Sequence, residues 1–275
     1  MSQLRKIRYR LFSWKKFPEL VPADVDIDVV IPVVEKDLRI LPLCLQNVRR
    51  NVAHNIKNIY IVSPDNVAIR DFCNKNELVF VEESSVLRYK PRKLNLITDD
   101  GLDRSGWLYQ QFLKLSGNVG TCQYYLCIDA DHILIRPHFF LTDDKKTVFY
   151  MSYEEHLPYY EMIHRLFPSM ELASLFYVSH KMLFDKQQVE VLKNMISKAG
   201  GGKPWQDVIM NNIDRSTLSG FSEFETYGNF MSNQVKRPWL QKLLRYSKLD
   251  DFETLCDKYG KTRWSLTFPE YREKQ

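Results

Sequence analysis

Two carboxylates one residue apart, Asp129 and Asp131, interrupt the apolar run VGTCQYYLCIDADHILIRP at residues 119–137. Carboxylates in such surroundings are costly to ionise without a counter-charge. A divalent cation is the natural compensation, because carboxylate oxygens suit magnesium and manganese. A second acidic pair, Glu223 and Glu225, lies between Gly220 and Gly228 in GFSEFETYGNF. Read as a loop or short strand, this segment puts both glutamates on one face, where either could take a proton from a hydroxyl as a general base. In GWLYQQFLKL, Leu108, Phe112 and Leu115 make an apolar stripe, while Trp107, Gln110, Gln111 and Lys114 make a polar, reachable one. Gln111 and Lys114 are therefore candidates to contact a ligand. His132 adjoins the acidic pair, but strand alternation turns it away from both. His156 and His180 follow apolar runs and are expected to be hydrogen-bonded structural histidines.

These groups need a scaffold. DIDVVIPV gives a first strand at about residues 27–33, followed by an amphipathic helix on Leu38, Leu41, Leu45, Val48 and Val52, with Asp37 as its N-cap. NIYIVS is a second strand, residues 67–76 a second helix, and residues 78–81 a third strand. That order predicts the α/β class with an open, mostly parallel sheet. Tyr124 to Ile128 form a buried fourth strand that delivers the aspartates. Ligands of such sheets bind beyond the carboxyl ends of the strands, so Pro32, Ser63 and Glu82 are expected at the mouth of a nucleotide pocket. Residues 84–105 carry Arg88, Lys90, Arg92 and Lys93 and suggest a solvated basic loop. After Pro137 come longer aromatic segments such as VFYMSYEEHLPYYEMIHRLF, suited to an acceptor sugar.

Composition narrows the class. A chain of 275 residues can bury a large core without staples, and the absence of repeats or linkers favours a single domain at 27–275 behind a basic arm at 1–26. Within that domain a donor half covers about residues 27–137 and an acceptor half about 138–275. The five cysteines are odd in number and lack a CxxC pair, which predicts reduced thiols and a cytoplasmic setting. No run approaches the length of a spanning helix. Arg5, Lys6, Arg8, Arg10, Lys15 and Lys16 all precede the first acid, and together they exceed the whole net charge of +5. Interleaved with Leu11, Phe12, Trp14 and Phe17, they suit an anionic membrane surface, as does KRPWLQKLLRYSK at 236–248; a solvated helix face is the plainer alternative for these stretches. Neither accompanies a nucleic-acid motif, so no nucleic-acid partner is expected.

The combination of DVVIPV, IYIVS, GWLYQQFLKL, CIDADHILIRP and SEFETYG resembles the GT-A fold of nucleotide-sugar-dependent glycosyltransferases of the DxD type. Within that fold it is most similar to a bacterial-type group associated with surface polysaccharides. The resemblance implies a Rossmann-like sheet with an aromatic-rich acceptor half. It also implies transfer of a sugar from a nucleotide sugar to a glycan or lipid-linked glycan, with Gln111 and Lys114 as candidate contacts to the donor sugar or phosphate; a glutamate base would go with an inverting outcome, and a retaining one stays open. Asp131 would ligate Mn2+ or Mg2+ on the donor diphosphate, and Asp129 would contact the ribose or the metal's water shell. The metal is then conditional on the bound diphosphate, since two carboxylates leave most of its positions open. RWSLTFPEYREKQ, where the fold would supply a third ligand, has no histidine. Inner-face peripheral membrane association would follow for a lipid-linked acceptor. A non-catalytic nucleotide- or sugar-binding protein with this fold is the alternative. A nucleotidyltransferase fits less well, because PVVEKD replaces the glycine-rich loop expected after the first strand.

Overall fold

The computed structural model describes Leu4, Ile7, Leu11 and residues 21–87, 89–152, 154–232, 239–240, 243–245 and 251–269, with the side chains of Arg92 and of 239–240 and 243–245 not described. The six basic residues of the arm thus lie outside the described residues, as do Arg88 and most of the second basic segment.

A five-stranded sheet organises the molecule, in the order β3-β2-β1-β4-β7. Its strands are β1 (Asp26–Pro32), β2 (Asn55–Ser63), β3 (Val79–Glu82), β4 (Tyr124–Ile128) and β7 (Lys181–Asp185). The first four run parallel and β7 runs antiparallel to β4. Helices α1 (Leu41–Asn51), α2 (Val67–Lys75) and α3 (Ser105–Leu115) connect the parallel strands. The alternation of strand side chains splits the core in two. Val29, Ile31, Leu126 and Ile128 pack with α1 on one face, while Val30, Tyr125 and Cys127 pack with Leu108 and Phe112 of α3 on the other. The expected α/β sheet is therefore present, as a mixed sheet that is mostly parallel.

Several local expectations change. Glu35–Arg39 is a separate 3-10 turn, and Asp37 caps it by accepting Val34 N at 2.9 Å rather than capping α1. The run after the aspartates is not a continuation of β4. Residues 129–131 turn, with His132 N bonded to Asp129 O at 3.0 Å. The next strand, β5 (His132–Leu134), belongs to a second sheet with β10 (Ser265–Thr267) and β9 (Leu243–Arg245). Part of the second basic segment is extended rather than helical, since Trp239–Leu240 forms β8 beside β6 (Tyr150–Met151) and Leu243–Arg245 forms β9. The segment read as a basic loop contains two single helical turns, Glu83–Val86 and Pro91–Leu94, and the longer helices that follow α3 among the described residues are α4 (Leu157–Leu166), α5 (Lys186–Ala199), α6 (Trp205–Asn212), α7 (Glu223–Met231) and α8 (Phe252–Tyr259). All five cysteines are free thiols, and among the described residues no helix is long and apolar enough to cross a membrane.

A buried carboxylate sets the position of β4. Asp28 on β1 accepts the backbone amides of Thr121 and Cys122 at 2.6 and 2.7 Å. Gly120, at φ +80°, passes so close that a Cβ would stand 2.3 Å from the Asp28 carboxylate. The loop entering β4 is thereby clamped to β1, and the turn at its far end reaches the carboxyl edge of the sheet.

Candidate active site

The strand order reverses at β1, because β2 and β3 lie on one side of it and β4 on the other. In open α/β sheets this switch point leaves a crevice beyond the carboxyl ends. Here it opens into a cleft of about 890 Å³ whose lining includes Pro32, Val62, Asp131, Lys114, Trp107 and Glu223.

Lys114 is the centre of the cleft floor. The stripe it occupies on α3 was expected to be exposed, yet the residue is only 2% accessible. Helix α3 is fixed at its end by the Tyr125 hydroxyl, which donates to Lys114 O at 2.9 Å, and the chain then reverses at Gly117, φ +71°. The ammonium lies 2.5 Å from Asp129 Oδ1 and 3.2 Å from Glu223 Oε1, and 4.7 Å from the Phe224 ring centre. The contact with Glu223 is an ion pair without hydrogen-bond alignment, so both Glu223 oxygens lack a hydrogen-bond partner. Burial opposes the charge on Lys114, but Asp129 and then Glu223 hold its pKa above the ordinary lysine value.

The two aspartates differ sharply. Asp129 Oδ1 takes Lys114, and Oδ2 takes His180 Nδ1 at 2.9 Å. Burial pushes its pKa up, yet Lys114 and His180 together bring it below the usual carboxylate range. Among the described residues no side chain is hydrogen-bonded to the Asp131 carboxylate, although His180 and Lys114 pull its pKa down from a distance. Burial first, and Asp129 second, push its pKa up to about 6. A carboxylate left short of positive charge at the mouth of a cleft fits a cation. Among the described residues, however, no group of three His, Cys, Asp or Glu is arranged to hold a metal. Of the two aspartates, Asp131 is thus the one left open to a ligand, while Asp129 is already held by Lys114 and His180.

His180 escaped the sequence pattern. It adopts φ +61°, a left-handed conformation uncommon outside glycine. Its backbone O accepts Asp129 N at 3.0 Å while its ring holds the Asp129 carboxylate. The ring also stacks on His132 at 5.5 Å. His132 faces away from the aspartates as expected, toward Thr267 Oγ1 at 2.7 Å and Lys181 Nζ at 3.0 Å.

Glu223 and Glu225 are not on one face, because the segment is helical. Ser222 caps α7 by accepting Glu225 N at 3.2 Å, and the S-x-x-E spacing was the available signal for a helix start. A two-residue step on a helix turns through about 200°, so only Glu223 lines the cleft. Burial, its largest influence, raises the Glu223 pKa against the opposing pull of Lys114. Glu225 instead accepts Tyr177 N at 2.8 Å and Asn229 Nδ2 at 3.0 Å. Gly228 lets α7 press against Tyr177, where a Cβ would come within 2.2 Å of the ring. Glu225 therefore ties the helix down, away from the cleft.

The remaining expected contacts divide. Pro32 and Gln111 line the cleft, and Gln111 Nε2 donates to Trp107 O at 3.3 Å. Ser63 does not. Strand alternation presents Val62 and sends Ser63 into the core, where its hydroxyl donates to Pro64 O at 3.0 Å. Glu82 is bonded to Ser84, and its neighbour Glu83 reaches the cleft in its place.

Residues 24–263 match the model of DUF6492, a family of unknown function. The chain belongs to the DUF6492 family. No curated protein matches this DUF6492 member. Among solved structures it is similar to mouse xyloside xylosyltransferase 1 in its apo form, with a TM-score of 0.47, 9% identity, and coverage of 90% of this chain and 99% of that one. It is also similar to the galactosyltransferase LgtC in complex with donor and acceptor sugar analogs, with a TM-score of 0.46, 9% identity, and coverage of 88% and 87%.

Proposed function

We propose that this protein is a glycosyltransferase that moves a sugar from a nucleotide sugar to a hydroxyl of a glycan or lipid-linked glycan, with a GT-A-like division of the cleft. The observation that carries this reading is the alignment, in one cleft, of an Asp131 left open to a ligand, a buried Lys114 cation and an unbonded Glu223 carboxylate. The donor diphosphate would occupy the carboxyl edge of β1, β2 and β4 near Pro32 and Asp131, with Gln111 beside the sugar.

In the reaction the bond from the anomeric carbon to the diphosphate breaks, and the electron pair leaves with the diphosphate. Lys114 is a fixed positive charge that meets this developing negative charge without reorganising. Mn2+ or Mg2+ brought by the diphosphate and held by Asp131 would supply further Lewis-acid stabilisation. His180 fixes Asp129, which in turn fixes the Lys114 ammonium. The acceptor oxygen bonds to the anomeric carbon from the opposite face, and its proton passes to Glu223, whose raised pKa suits a base working near neutral pH. Attack from that opposite face would invert the anomeric centre. The expected setting is the cytoplasm, at the inner face of a membrane when the acceptor is lipid-linked, with the basic arm on anionic lipid.

The test is a panel of UDP- and GDP-sugars with and without manganese or magnesium, scored for nucleotide release and for thermal shift. Metal-enhanced release from one donor, with an inverted product, supports the transferase. A thermal shift without release in any condition favours a non-catalytic nucleotide-binding protein, and no response to any donor or nucleotide refutes both.

A further inference from the structure

The wall of the cleft next to Glu223 carries a cation that donor chemistry does not use. Arg104 lines the cleft just before α3 and donates Nε to Leu218 O at 2.7 Å. Its guanidinium carbon lies 4.9 Å from the Trp107 ring centre. Tethered through Nε and stacked on an aromatic face, the group has a fixed orientation, and its two terminal nitrogens remain for a pair of oxygens. Among the described residues no carboxylate pairs with it.

Tyr159 connects this cation to the chemistry. It lines the cleft together with Arg104 and Glu223, and burial pushes its phenol up to about 12, so near neutral pH it is uncharged. The Arg104 wall therefore shares its cleft with Glu223, the group to which a receiving hydroxyl would pass its proton. A fork of N–H donors on an aromatic shelf, with a neighbouring phenol, matches an oxyanion two oxygens wide.

We propose that Arg104, Trp107 and Tyr159 form an acceptor subsite for an oxyanion, so that the molecule receiving the sugar carries a phosphate or a carboxylate. This rests on the glycosyl-transfer reading above, and it narrows the acceptor class within it. The test uses whichever nucleotide sugar the donor panel shows to be cleaved, and three acceptor probes: an aryl hexoside, its 6-phosphate, and the matching aryl hexuronide. The anionic probes should exceed the neutral one in kcat/KM by about 10–100-fold, the worth of one or two charge-assisted hydrogen bonds. The better of the two identifies which oxyanion the subsite takes. R104Q should lower the ratio of transfer to donor hydrolysis by a similar factor, acting through acceptor KM, and R104K, which keeps the charge but not the fork, should lie between. Equal use of neutral and anionic probes overturns the subsite, as does an equal fall of hydrolysis and transfer in R104Q, which would make Arg104 a donor contact. If no donor is cleaved, the transferase reading fails first and the subsite with it.

Discussion

Two buried lysines flank the Asp129–Asp131 turn, and their surroundings are opposite. On the cleft side, Lys114 is held by Asp129 and Glu223 and its pKa is raised. Behind the turn, Lys181 on β7 meets His132 Nε2 at 3.0 Å and Ser265 Oγ at 2.9 Å, and burial drives its pKa well below the ordinary lysine value. Burial favours the neutral form of a lysine, and carboxylates facing it reverse that pull where imidazole and hydroxyl do not. The proton is consequently held more tightly on the cleft side of the turn than behind it. Under the transfer proposed above, this arrangement would stabilise the departing anion with a field fixed before the substrate arrives.

Removing Lys114 should break the comparison most severely. K114M leaves Asp129 and Glu223 buried without their shared cation, a loss of about 3–5 kcal/mol of stability, visible as a lower denaturation midpoint. Adding D129N and E223Q to K114M should restore much of that stability and none of the nucleotide release. If K114M alone unfolds like the wild type, the three groups do not form the ion cluster described. Glu223 is the next largest effect. E223Q should lower transfer by about 10²–10⁴-fold, the span of a lost general base, while metal-dependent donor binding measured by thermal shift persists. E225A should do the reverse, lowering the melting temperature through its lost bonds to Tyr177 and Asn229 while folded molecules keep their turnover. Equal losses of turnover in the two variants would undo the separation of roles.

Some of this front-to-back arrangement is legible in the chain and some is not, for physical reasons. Buried parallel strands are continuous apolar runs, so β1, β2 and β4 and the placement of Asp129 and Asp131 beyond β4 could be read locally. Lys114 was visible as a polar position on α3, but its burial depends on α7 packing across it, a contact more than a hundred residues distant. Helix α7 was obscured by Gly228, which is there for the close approach to Tyr177 rather than to end an element. Ser63 and Glu82 each missed the cleft by one position: for Ser63 this is the difference between the two faces of a strand, and for Glu82 it is the start of a helical turn at Glu83. His180 was legible only as a hydrogen-bonded histidine after an apolar run, and nothing local named Asp129 as its partner. Its role follows from a backbone conformation that only the folded chain imposes.

His180 lies between front and back, bonded to Asp129 and stacked on His132, and a set of variants can assign it. Glycine and asparagine both tolerate the left-handed conformation, whereas alanine does not tolerate it freely. H180N can still donate to Asp129, and H180G cannot. The two should match in stability within about 1 kcal/mol, with H180A lower. Nucleotide release should fall about 10–100-fold in H180G, as for loss of an outer partner of an active-site ligand, and H180N should recover most of it. Equal activity in H180N and H180G would make His180 a purely structural residue.

The smallest expected effect tests the side behind the turn. In the unfolded chain a lysine keeps its proton up to a pH of about 10.4, while folded Lys181 releases it lower because it is buried. Between those two values the unfolded state binds more protons, so the stability this group contributes rises with pH, is complete above the unfolded pKa, and is lost as pH falls through the folded one. Methionine at 181 keeps the volume and removes the proton. The difference in melting temperature between K181M and wild type should therefore change with pH between about 7 and 9, in the direction that favours wild type as pH rises. Comparing the two chains at each pH cancels the tyrosines and cysteines that also titrate toward alkaline pH. A difference that stays constant across the window would mean that Lys181 is protonated in the fold, and that the back of the turn carries charge as the front does.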